Sequence, residues 1–205
     1  HTTERPESTT AAEETIQMVT EQNERLSKLV RTLLDMSELQ TVVRNDRIEL
    51  HGLIEEVLTD LEPLAQEKNI ELIQNSRRGG EKADEELFMT GSDILIYRML
   101  YNLVENAIKY NQKDGTVTVS AIKEKNEVVL TVSDTGNGID EAFRTQIFEP
   151  FFRIDKSRSR ELGGVGLGLT MVREVVRVHD GTIKVYANKN KGTTFEVKMR
   201  LGAEK

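Results

Sequence analysis

Asn102-Leu-Val-Glu-Asn-Ala-Ile-Lys-Tyr110 carries two amides, an ammonium and a phenol at positions 102, 106, 109 and 110, which recur at helical spacing. Side chains so spaced gather near one side of a helix. Amide oxygen suits Mg2+, and an ammonium with a hydroxyl suits phosphate oxygens, so the stretch could grip a metal-bound polyphosphate. The same pattern also describes an ordinary polar outer face. Asp134-Thr-Gly-Asn-Gly138 offers a second chemistry. A carboxylate followed by two glycines lets an acceptor stand where a planar base can approach the backbone closely, although Asp-x-Gly is equally a strand-to-loop turn. Gly163-Gly-Val-Gly-Leu-Gly168 sets four glycines in six residues before the helical pattern MVREVVRVH. Bare N–H groups and the dipole at a helix start suit an anion. Leu169 stands where a Walker loop needs Lys, and the preceding KSRSRELGG is polar, unlike the strand before a dinucleotide fingerprint. By themselves these glycines read equally as an anion cradle or a flexible hinge.

Each stretch needs an element to hold it. Ser92 or Asp93 caps a helix running to about Tyr110, with Ile94, Leu95, Met99, Leu100, Leu103, Val104 and Ile108 on its buried side. TVTVSAIK (116–123) and EVVLTVSD (127–134) alternate with period two around EKN, which predicts a hairpin ending at the carboxylate. A short helix near 140–147, a helix over 167–178 and strands TIKVYA and TTFEVKMRL complete the chain. Upstream, RIEL, IELIQ (70–74) and ELFMTG (86–91) read as short strands, and Leu53, Ile54, Val57, Leu58, Leu61 and Leu64 as a helical face. These pieces pack most naturally as a two-layer α/β sandwich, a largely antiparallel sheet covered on one face by helices. A boundary falls near residue 45. Before it, Ile16, Val19, Asn23, Leu26, Val30, Leu33 and Ser37 alternate at three and four spacing without Gly or Pro. That is a helix over about 12–40, ~29 residues and ~44 Å long, whose apolar seam implies a partner helix.

The bulk composition agrees and excludes some classes. With 205 residues, 37% hydrophobic and 31% charged, the chain can bury one core of ~100–150 residues and carry an appendage. Its net charge of −7, with no basic block longer than Arg77-Arg78, lacks the cationic surface that nucleic acid requires. Cysteine is absent, which removes disulfides and Cys-based zinc sites. No apolar run approaches a membrane span. Residues 1–11, HTTERPESTTA, read as a disordered tail.

Taken in order, Asn-x-x-x-Asn-Ala-x-Lys-Tyr, Asp-x-Gly-x-Gly, Phe148-Glu-Pro-Phe-Phe-Arg153, Gly164-x-Gly166-x-Gly168 and Gly192-Thr-Thr-Phe195 resemble the ATP-binding catalytic domain of sensor histidine kinases. RLSKLVRTLLDMSELQ resembles the second helix of that family's dimerisation and phosphoacceptor hairpin. The resemblance implies residues 1–11 as a tail, 12–44 as the second hairpin helix, and 45–201 as the catalytic domain with the histidine-kinase, gyrase and chaperone type of ATP-binding fold. It implies ATP and Mg2+ as cofactors. Asn106 would coordinate the metal and Asn102 support it, with Lys109 and Tyr110 on phosphate oxygens. Asp134 would accept from the adenine amino group, with Gly136 and Gly138 giving the base room. Gly164, Gly166, Leu167 and Gly168 would line the phosphates, Thr194 would bring a hydroxyl near the nucleotide, and Arg153 would touch phosphate beneath a lid over 153–165. Phe148, Phe151 and Phe152 look like the aromatic hinge of that lid.

The family's acceptor pattern, His-Glu/Asp-x-Arg/Lys-Thr-Pro, matches none of His1, His51 and His179. The resemblance therefore implies phosphoryl transfer to a histidine outside this sequence. It further implies a homodimer through the long helix, a response regulator as partner, and a cytoplasmic part of a membrane-anchored sensor. Three alternatives are an ATPase of the same fold, an anti-sigma serine kinase, and a nucleotide-gated dimerisation scaffold without kinase activity. ATPases of this fold place a Glu one turn before the metal-binding Asn as general base for water; that position here is Asn102.

Overall fold

The computed structural model describes residues 15–20, 22–23, 26–27, 30, 34, 37, 39, 41–75, 86–154, 166–189 and 191–202. The expected tail over 1–11 lies outside them, as does most of the expected lid. The described residues between 15 and 37 are helical. Their apolar side chains Ile16, Val19, Leu26, Val30 and Leu34 are exposed, so the predicted seam is present, with no partner packed on it among the described residues. Leu39, just beyond, is 2% exposed and belongs to the core of the C-terminal domain.

That domain opens with β1 (Asp46–Glu49) and α1 (Leu50–Glu67). Glu49 starts α1, its carboxylate accepting from the His51 and Gly52 N–H groups, which satisfies donors that a helix start leaves open. Strands β2 (Glu71–Gln74) and β3 (Phe88–Gly91) lead to α2 (Asp93–Lys109). Asp93 Oδ1 accepts from the Ile94 N–H, whereas the Ser92 hydroxyl makes no capping bond. Then come β4 (Thr116–Glu124), β5 (Glu127–Asp134), α3 (Gly168–Val178), β6 (Thr182–Ala187) and β7 (Thr193–Arg200). The short helix expected near 140–147 is instead two single 3-10 turns, Glu141–Phe143 and Gln146–Phe148. Asp140 caps the first through the Ala142 N–H, and Pro150 follows too soon for the second to lengthen.

Five strands form one sheet in the order β2-β4-β5-β7-β6, while β1 and β3 pair apart from it. All neighbours in the large sheet are antiparallel except β2 and β4, which run parallel. Alternation assigns the faces. Val117, Val119 and Ala121 of β4, Val128, Leu130 and Val132 of β5, and Phe195, Val197 and Met199 of β7 join one core with Leu61, Met99, Leu103 and Val172 of the helices. The intervening residues carry polar pairs across the opposite face, Ser120 with Thr131 at 2.6 Å and Ser133 with Thr194 at 2.9 Å. The molecule is thus the two-layer α/β sandwich read from the sequence.

Candidate nucleotide site

The site gathers between α2, the start of α3 and the end of β5. Asn102 is pinned on α2 by its own amide, Nδ2 donating to the Arg98 carbonyl at 2.7 Å. Its Oδ1 faces α3: a Cβ at Gly168 would stand 2.7 Å from Asn102 Oδ1 and 3.9 Å from Asn106 Nδ2. Glycine at 168 is therefore what lets the helix start approach Asn102, with Asn106 at ordinary contact distance beside it. The first backbone bond of α3 is Met171 N–H to Leu167 C=O, so the N–H groups of residues 168–170 have no partner within the helix.

At the other end of α2, Lys109 Nζ lies 2.8 Å from Glu105 Oε1, both side chains largely buried. Tyr110 ends the helix with its side chain exposed. The last carbonyls of α2, Ile108 and Lys109, accept from the Lys68 ammonium, a cation where the helix dipole favours one. Tyr110 C=O also fixes the approach of the base loop, since a Cβ at Gly136 would meet it at 2.7 Å. Asn111, overlooked by motif reasoning, is buried and joins the two stretches: Nδ2 donates to Thr116 C=O, and Oδ1 accepts from Thr135 Oγ1 at 3.3 Å.

Asp134 ends β5 and is buried, on the helix-facing side in alternation with Leu130 and Val132. Its Oδ1 accepts from the Gly136 N–H at 2.8 Å and the Thr193 N–H at 3.1 Å. Burial pushes its carboxyl above the usual carboxylate range, against those two donors. Oδ2 has no hydrogen bond among the described residues. Gly138, at φ +74°, brings the Lys191 carbonyl into the space that a Cβ would fill. Thr194 is not brought to this carboxylate. Alternation along β7 turns it to the opposite face of the sheet, where its hydroxyl bonds Ser133, and the contact with Asp134 comes from the neighbouring Thr193 backbone.

The aromatic segment is only partly a hinge in form. Phe148 packs edge-on against Phe195 at 6.3 Å, and Phe152 tilts over Phe143 at 6.1 Å, both as core contacts. Phe151 is exposed at φ +64°, its N–H donating to the Gly166 carbonyl at 2.9 Å. Gly166, at φ +79°, accepts that contact where a Cβ would lie 3.0 Å from Phe151 Cα. Leu167 is buried. Gly164 and residues 155–165 of the expected lid lie outside the described residues. Arg153 has Nε and one terminal nitrogen buried without a hydrogen-bond partner among the described residues, an arrangement that favours an anionic ligand.

The donor set fits a metal-bound nucleotide. Two amides lie against a helix start, an ammonium ends the same helix, Arg153 has two buried nitrogens unbonded among the described residues, and a carboxylate with one oxygen bonded stands beside two glycines that admit backbone at close approach. Comparison with known proteins agrees with this arrangement. A family model described as "Histidine kinase-, DNA gyrase B-, and HSP90-like ATPase" matches residues 91–203. The sensor histidine kinase RppB of Synechocystis is 31% identical over 186 residues, covering 89% of this chain. The chain spans only 40% of that relative's length. Among solved structures, the catalytic domain of the histidine kinase ThkA superposes with a TM-score of 0.67 at 26% identity, covering 78% of this chain and 97% of that one. ThkA in complex with the response regulator protein TrrA gives a TM-score of 0.74 at 24% identity, over 97% of this chain and 53% of that one.

Proposed function

Because the chain belongs to the histidine kinase-, DNA gyrase B- and HSP90-like ATPase family, we propose that residues 45–201 are the ATP-binding catalytic domain of a sensor histidine kinase. In this reading residues 12–44 carry the second helix of its dimerisation hairpin. The observation that carries it is the close approach of Gly168 to Asn102 and Asn106, which supports reading the phosphate and metal motifs as one site. ATP lies with its adenine amino group on Asp134 Oδ2 and its phosphates along Gly164, Gly166, Leu167 and Gly168. Lys109 leaves Glu105 to join Tyr110 and Arg153 on phosphate oxygens. Asn106 holds Mg2+, supported by Asn102; the metal supplies charge neutralisation on the phosphates. Thr194 acts from the far face of the sheet, as a support for Ser133.

The reaction is in-line transfer: a histidine nitrogen forms a bond to the γ-phosphorus as the bond to the β,γ-bridging oxygen breaks, leaving ADP. Positioning and charge stabilisation supply most of the acceleration. His51 and His179 serve the fold. His51 lies in the first turn of α1, and both ring nitrogens of His179 are bonded to backbone groups. His1 lies outside the described residues, and the Thr-Thr-Glu-Arg-Pro that follows it departs from the family's acceptor pattern, so the acceptor is sought on another segment or chain, with a response regulator receiving the phosphoryl group next. A homodimer forms through the exposed seam from Ile16 to Leu34, and the working protein is a membrane-anchored sensor with this part in the cytoplasm. Among the described residues no helix is long and apolar enough to cross a membrane.

Hydrolysis is the weaker reading, because Asn102, one turn before Asn106, cannot take a proton from water, and Glu105, the immediate neighbour of Asn106, projects about 100° further round the helix. Labelled ATP with Mg2+ tests the choice. Acid-labile phosphate is expected on an added hairpin bearing the acceptor histidine and not on the chain alone. Steady phosphate release without an acceptor would overturn the kinase assignment in favour of an ATPase.

A further inference from the structure

We infer that Asn188, in the turn between β6 and β7, is the positioning residue that fixes Asp134 for recognition of a purine 6-amino group. The ladder between β5 and β7 ends at the pair Ser133 and Thr194, one residue short of the carboxylate. At this end of the sheet two bonds that use side chains tie Asp134 to the second hairpin. Thr193 N–H donates to Oδ1 at 3.1 Å, and Asn188 Nδ2 donates to the Asp134 carbonyl at 2.6 Å. The same amide group lies 3.1 Å from Ser133 Oγ and 3.4 Å from the Thr193 carbonyl. It therefore continues the sheet's hydrogen bonding with a side chain where the backbone ladder has stopped.

The turn that carries Asn188 is itself held by backbone bonds. Asn188 N–H donates to Gly192 C=O at 3.1 Å, and Lys191 N–H to Asn188 C=O at 3.2 Å. A Cβ at Gly192 would collide with the Asp134 carbonyl, and one at Gly138 with the Lys191 carbonyl. Backbone thus closes on both sides of Asp134, and Asn188 is the side chain that holds the closure. Without its donor the Asp134 carbonyl loses its partner and the turn can draw away. Thr193 N–H then moves off Oδ1, and Oδ2 loses its fixed direction. The phosphate-facing residues on α2 and α3 do not take part in this network.

The inference rests on the reading of Asp134 as the base acceptor, and the experiment separates the two. Binding of ATP and of purine riboside triphosphate, which lacks only the 6-amino group, is measured calorimetrically with Mg2+ on the whole chain. Wild type is expected to prefer ATP by about tenfold, the worth of one hydrogen bond to a buried carboxylate. In Asn188→Ala and in Asn188→Asp, which keeps the size but loses the donor, the preference falls toward unity while affinity for the purine analogue holds. Equal weakening of both nucleotides would overturn the positioning role and leave Asn188 as a general brace. A preference kept by both variants but lost in Asp134→Ala would also overturn it, with the base site intact. No preference in wild type would overturn the base reading and this inference together.

Discussion

Replacing His179 should destabilise the fold by an amount that depends on pH in a calculable direction. His179 ends α3, with Nδ1 2.8 Å from the Val175 carbonyl and Nε2 3.1 Å from the Ser92 nitrogen at the start of α2. Nδ1 must carry the proton to donate, so Nε2 is the acceptor and the ring is neutral. Ser92 is 1% exposed. His179→Ala therefore leaves its N–H buried and unpaired, about 1–3 kcal/mol, and opens space beside Gly91. A loss of about 3 kcal/mol corresponds to about 6–12 °C in Tm for a chain of this size.

The neutral ring is favoured by burial first, which lowers its pKa below the ordinary 6.5; Arg44 lowers it further, opposed by the Val175 bond and by Asp180. The folded state then binds fewer protons than the unfolded state between its lowered pKa and 6.5. Stability from this group is complete above about 6.5 and is lost as pH falls toward the folded value. One proton gives at most about 1.4 kcal/mol per pH unit, and partial exposure of the ring reduces this. Thermal melts of wild type and His179→Ala at pH ~7.5 and ~5.5 should show the gap narrowing at the lower pH, by at most about 3–6 °C. A gap that stays constant or widens on acidification would refute the assignment of Nε2 as an acceptor.

Three further outcomes follow from the site. Asp134→Asn keeps an Oδ1 for the Gly136 and Thr193 N–H groups and removes a charge whose raised pKa marks it as a burden at neutral pH, relieved only as pH falls through the folded value. It should melt no lower than wild type at neutral pH and yet bind ATP about tenfold more weakly; a lower Tm would show that the charge supports the fold. Gly168→Ala drives a methyl to 2.7 Å from Asn102 Oδ1, which the Arg98 carbonyl holds in place. Crowding of about 1–3 kcal/mol, offset by about 1 kcal/mol of helix propensity, should lower Tm by only a few degrees. Calorimetry should still find Mg-ATP binding weakened more than about tenfold. Val30→Asp, on the exposed seam, should weaken self-association in sedimentation without changing ATP affinity; a change in affinity alone would undo the seam assignment.

The parts of the site that lie within one continuous stretch were legible before the fold. Asn102 and Asn106 both stand beside Gly168, as their spacing of four on a helix predicts. Asp134 meets its glycines because they are next to it in sequence. The residues that hold these stretches against each other were not legible. Asn111 reaches Thr135 across 24 residues, Asn188 reaches Asp134 across 54, and Ser92 reaches His179 across 87. Each is an ordinary polar residue in a turn or at a helix end, and only the register of the sheet gives it a partner. Thr194 had a usable signal. Phe195, Val197 and Met199 are the apolar members of β7, so alternation assigns Thr193, and not Thr194, to their face.

The same geometry bears on how the N-terminal helix is joined to the nucleotide site. Leu39 is buried in the domain core, and Arg44 Nη1 donates to the Val42 carbonyl at 3.1 Å and the Leu39 carbonyl at 3.4 Å, so the connecting chain is folded onto the domain. Asp46 Oδ2 accepts from the Asp93 N–H at the start of α2, and the charge of Arg44 is felt at His179. One corner of the fold therefore collects the connector, the start of α2 and the end of α3. The candidate phosphate and metal residues occupy the later turns of α2, from Asn102 to Tyr110, and the opposite end of α3, at Gly168. Exposing Leu39 to free the connector would cost about 2–3 kcal/mol. Motion of the N-terminal helix that spares this cost must pivot before Leu39. Motion that does not spare it acts on the corner where the two site-bearing helices are held together.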